Sequence, residues 1–74
     1  MTLQEENDNV ELIANAIQRG EESIVFNASG TQHHVNLPTP QRAGTMTQQR
    51  CYAIDKARAI IEGASLMWRG IGGL

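Results

Sequence analysis

The sequence predicts an α+β fold, a small α-β-β-α domain, and three observations predict it. Val10, Ile13 and Ile17 recur at helical spacing near the start. Ser23-Ile24-Val25-Phe26-Asn27 and Gln32-His33-His34-Val35-Asn36-Leu37 flank Ala28-Ser29-Gly30-Thr31, a small-residue turn with a glycine. From Met46 onward an apolar stripe runs at 3.6-residue spacing for about seven turns. The chain has 74 residues, 41% of them hydrophobic and 19% charged, which suits one small globular domain over 1–74.

The first element is expected to be a short helix over about residues 8–19. Asp8-Asn9-Val10-Glu11 has the capping-box form, an acceptor followed three residues later by Glu. Thr2-Leu3-Gln4-Glu5 has the same form and offers an earlier start. Ala14 and Ala16 lie beside the apolar stripe, and Gly20 after Arg19 is a left-handed stop. Residues 1–7 are polar and terminal, and are expected to fray unless Leu3 docks.

The second element reads as a hairpin. A two-residue turn at Ser29-Gly30 sets Ile24 opposite Val35 and Phe26 opposite His33, with these four on one face. Val25, Asn27, Gln32, His34 and Asn36 then form a more polar outer face.

The third element is a long helix with two candidate starts. Thr39-Pro40 places threonine at the N-cap and proline at the first helical position. Thr45-Met46-Thr47-Gln48 has the capping-box form, with Gly44 between the two. Met46, Ala53, Ile54, Ala57, Ile60, Ile61, Ala64, Met67, Trp68 and Ile71 fall in one core-facing sector. Gly70, Gly72 and Gly73 are expected to stop the helix and leave 70–74 frayed.

The opposite side of that helix carries Tyr52, Ala59, Gly63, Leu66 and Gly70, none of them charged. Glycine inside a helix costs about 1 kcal/mol relative to alanine, so Gly63 four residues after Ala59 suggests a close backbone contact. These five residues form the expected interface. A chain this short, with one Phe, one Trp, one Tyr and two edge strands, is short of core, and a homodimer is expected.

Charge is polarised. Within 1–22 six acids face Arg19 alone, a net −5; within 39–74 five basic residues face Asp55 and Glu62, a net +3. The stretch between holds no fixed charge. Summed potentials of this kind act on association rather than on fold.

Catalytic and metal chemistry find little support. His33 and His34 are adjacent on a strand and point to opposite faces, so they do not chelate one metal together. His33 is expected to be part-buried beside Phe26, and His34 exposed. Cys51 is the single cysteine, which excludes an intramolecular disulfide, and no base is fixed beside it by spacing. Asp55 and Glu62 stand two turns apart on one helix. Gly70-Ile71-Gly72-Gly73 follows a helix, whereas a phosphate loop precedes one. No enzyme, cofactor or metal site is expected, and no apolar run reaches the ~18–20 residues of a membrane span. The chain is expected to be complete, soluble and cytoplasmic.

Two functions remain. The leading expectation is a small binding or regulatory protein that works by contact with an unidentified protein, as a homodimer. The alternative is a DNA-binding regulator reading bases from residues 45–58. There Gln48, Gln49 and Arg50 would meet base edges, and Arg42, Lys56 and Arg58 would meet phosphates. The net charge of −2 argues against nucleic acid.

Overall fold

The computed structural model describes residues 2–72, with side chains described through residue 63. The order is α1 (Leu3–Arg19), β1 (Ser23–Ala28), β2 (Thr31–Asn36) and α2 (Met46–Gly72), the expected α-β-β-α arrangement. With 27 residues, α2 spans about 40 Å at 1.5 Å per residue and accounts for the 43 Å long axis.

Helix α1 takes the earlier of its two starts. Thr2 is the N-cap, and its hydroxyl accepts the backbone N–H of Glu5 at 3.1 Å. Asp8 lies inside the helix, where it accepts from the Gln4 side chain at 3.0 Å. Residues 3–7 are therefore helical, ahead of the expected start near residue 8, and Leu3 is not what holds them, being 73% exposed. The hairpin holds them instead. The Glu5 carboxylate accepts the backbone N–H of Ser29 at 2.7 Å. At the other end Gly20 (φ 83°) closes the helix. Its N–H donates to the Ile17 carbonyl and that of Glu21 to the Ala16 carbonyl, the paired bonds of a Schellman motif.

Strands β1 and β2 pair antiparallel with Ile24 opposite Val35 and Phe26 opposite His33, the expected register. Ser29 (φ 54°) and Gly30 (φ 77°) both have positive φ, which makes the connection a type I′ turn whose twist matches the strands. Phe26 and Ala28 are buried, while Val25, Asn27, Gln32, His34 and Asn36 are exposed.

The long helix begins at Met46 and not at Pro40. Thr45 and Gln48 form a complete capping box: the Thr45 hydroxyl accepts the Gln48 N–H at 3.1 Å, and the Gln48 side-chain oxygen accepts the Thr45 N–H at 2.9 Å. Gly44 supplies the turn into it at φ 88°, and a Cβ there would collide with the Gln48 side chain. Thr39 and Pro40 stay in the connector, where the Thr39 carbonyl accepts the Tyr52 hydroxyl. Gly70 lies within α2, so it does not end the helix.

The core is small. Among the described residues the buried apolar side chains are Ile13, Ile17, Phe26 and Ile61 together with Ala14, Ala16, Ala28, Ala53 and Ala57. The alanines of both helices let α1 and α2 approach closely, and Val10, Ile24, Val35, Leu37, Tyr52, Ile54 and Ile60 pack around the cluster half-buried. Met46, expected in the core stripe, is 77% exposed, because it precedes the segment that α1 covers. Ala64, Met67, Trp68 and Ile71 lie outside the described side chains.

Candidate protein-contact surface

Of the six side chains proposed for base and phosphate contacts, Arg58 is exposed on α2, and the other five, at the start of α2 and in the connector before it, are engaged within the chain. Gln48 closes the capping box. The Gln49 amide donates to the carbonyls of Arg42 at 3.1 Å and Gly44 at 3.3 Å, tying the connector to the helix. The Arg50 guanidinium donates to the side-chain oxygens of Asn15 at 2.8 Å and Gln18 at 2.6 Å, bridging the last turns of α1 to the first turns of α2. Arg42 donates to the Gln18 carbonyl at 3.3 Å, one of the last carbonyls of α1, where a cation is also favoured by the helix dipole. Lys56 sits over the Tyr52 ring at 5.6 Å. Extending any of them into a groove would break one of these contacts.

On the outer side of α2 the expected interface residues part company. Tyr52 is half-buried and used inside the chain: it packs on the core, and its hydroxyl donates to the Thr39 carbonyl at 2.9 Å. Ala59 and Gly63 are exposed, one turn apart. A Cβ built on Gly63 meets no described atom within 4 Å, so nothing in the described chain requires glycine there. Leu66 and Gly70 lie outside the described side chains.

Beside Ala59 runs an open groove of about 450 Å³, lined by Asn36, Leu37, Pro38, Lys56, Ala59 and Ile60. Its floor is apolar and its rim carries Lys56. Sequence periodicity assigns Ile60 to the core, yet it is only half-buried. Pattern reading misses this groove because Leu37 and Pro38 come from the connector, and their meeting with α2 is a tertiary event. A second depression, about 310 Å³, lies among Ile17, Pro40, Arg42, Met46, Gln49 and Tyr52.

The remaining candidates are accounted for individually. His33 stacks on Phe26, with ring centroids 5.3 Å apart and planes inclined by 23°, as expected for a part-buried residue. His34 is exposed. Cys51 is a free, exposed thiol on α2. Among the described residues no three His, Cys, Asp or Glu side chains converge, and no described helix is long and apolar enough to cross a membrane. The ion pair among the described residues joins Arg19 to Glu21, neighbours on the surface, and not the acidic end to the basic one. In comparisons with known proteins, no family model, no curated protein and no solved structure matches this chain.

Proposed function

We propose that the chain is a small non-enzymatic binding protein that regulates by protein contact, as a homodimer, and that the surface around Ala59 and Gly63 receives a partner protein. The observation that carries this reading is the shallow, solvent-open apolar groove between Leu37-Pro38 and Ala59-Ile60, one helical turn from the exposed Gly63. A partner helix or extended segment there would bury apolar floor without displacing any internal hydrogen bond. The dimer is supported by the core among the described residues, in which five of nine buried apolar residues are alanines. A cytoplasmic location belongs to the same proposal, since a lone exposed thiol at Cys51 suits a reducing compartment.

The DNA-binding alternative has less support. Gln48, Gln49, Arg50, Arg42 and Lys56 hold the helix start, the connector and the α1–α2 junction together. A photo-crosslinking residue at Ala59 separates the readings, with Leu12, exposed on α1, as control. Discrete protein adducts from position 59 and none from position 12 are expected in the native cell. Recovery of nucleic acid, or salt-sensitive retention of the purified chain on genomic DNA, would overturn the reading.

A further inference from the structure

We propose that the free edge of β2 pairs with the same edge of a second copy, antiparallel and two-fold symmetric about His34, so that the dimer is built around one four-stranded sheet. The inference rests on the dimer proposed above and names its surface.

The register decides which backbone groups are free. In a two-residue hairpin the residues flanking the turn, Ala28 and Thr31, exchange hydrogen bonds, and bonded and non-bonded pairs then alternate. Phe26 with His33 and Ile24 with Val35 are therefore bonded pairs, and the Leu37 N–H donating to the Glu22 carbonyl at 2.8 Å continues the same phase. Gln32, His34 and Asn36 consequently aim their N–H and C=O groups away from β1. On β1 the corresponding residues are Ser23, Val25 and Asn27, and there one edge carbonyl, that of Asn27, is taken by the Asn9 side chain of α1 at 2.8 Å. Among the described residues the sheet has two strands, and no strand lies beyond the β2 edge.

Sheet edges in monomeric proteins are usually blunted by charge, proline or a bulge. Between Thr31 and Asn36 there is no Lys, Arg, Asp, Glu or Pro, and the pairing with β1 runs without a bulge. The segment 23–41 holds no fixed charge at all, in a chain otherwise divided into acidic and basic ends. A second copy of β2 therefore approaches without like-charge repulsion.

The edge is also complementary to itself. Outward-facing residues pair with outward-facing residues, and a two-fold axis at His34 sets His34 against His34 of the second copy and Gln32 against Asn36. The amides are matched donors and acceptors on the exposed face. On the inner face the same axis sets His33 beside Val35, extending the apolar layer formed by Ile24, Phe26 and Val35 across the dimer.

Cysteine scanning in a Cys51→Ser background tests the register. Bonded antiparallel partners have Cα atoms about 5.5 Å apart, with Cβ atoms too far apart for an unstrained disulfide but within reach of a short bis-maleimide linker. With that linker His34→Cys is expected to form a covalent dimer. Gln32→Cys alone and Asn36→Cys alone are not, whereas a mixture of those two is. His34→Pro supplies a second readout, because it removes an N–H that β1 does not use. It is expected to keep the circular dichroism spectrum and to lower the mass in light scattering from twice 8.1 kDa to 8.1 kDa. A dimer that survives His34→Pro and fails to cross-link at position 34 overturns the β2 pairing but leaves the dimer standing. A wild-type chain of 8.1 kDa at micromolar concentration overturns both.

Discussion

Asn9, a buried polar residue of α1, donates its side-chain amide to the main-chain carbonyl of Asn27 at 2.8 Å, and this bond fixes where the hairpin lies along the helix. The carbonyl belongs to the edge of β1, where a third strand would otherwise donate to it. Asn9→Ala removes the donor of a part-buried hydrogen bond between α1 and β1. A loss of about 1–3 kcal/mol in denaturant unfolding is expected. An unchanged midpoint would mean that water replaces the bond at no cost.

The hairpin turn stores strain at one position. Ser29 has φ 54°, a region that L-residues with a Cβ occupy at a cost of roughly 1–2 kcal/mol, and which Asn tolerates better. Ser29→Asn is expected to raise the melting temperature. Glu5→Ala, which removes the carboxylate accepting the Ser29 N–H, is expected to lower it and to loosen residues 3–7, seen as faster amide exchange there.

The entry to α2 depends on Gly44 and its neighbours. Gly44→Ala meets both a positive φ and the Gln48 side chain, so it is expected to destabilise by more than about 1 kcal/mol. Thr45→Ala breaks half of the capping box, at about 0.5–2 kcal/mol. Combining them should give less than the sum in a double-mutant cycle, because both act on the Gln48 contact. Full additivity would show that the glycine is needed for its φ alone.

Gly63 gives a sign test. A Cβ there meets no described atom within 4 Å, so Gly63→Ala is expected to stabilise the purified chain by up to about 1 kcal/mol through helix propensity. Self-association through β2 should be untouched. If the substitution instead lowers stability and dissociates the dimer, copies meet through α2.

Much of the architecture was legible in the sequence because it depends on local chemistry. Periodicity of 3.6 in Val10-Ile13-Ile17 and Ala53-Ala57-Ile61, a glycine stop after Arg19, and a two-residue turn between alternating strands each act within a few residues. The hairpin register follows from turn length alone, which is why Phe26 meets His33 as the pattern requires.

Tertiary structure decided what local rules left open. Both helices had two chemically adequate starts. The choice of Thr2 goes with Glu5 and Asn9 reaching the hairpin, and the choice of Thr45 with a side chain from Gln49 reaching back to the connector. The same holds for the candidate sites. Tyr52 and the polar residues from Gln48 to Lys56 look available in sequence, yet partners thirteen to thirty-five residues away engage Tyr52 and Arg50. The groove at Leu37, Pro38 and Ile60 exists only once the connector folds back on α2. Propensity, capping and turn geometry are short-range and can be read in sequence order. The fate of a polar side chain or a half-apolar face depends on which distant surface arrives opposite it, and only the folded chain sets that.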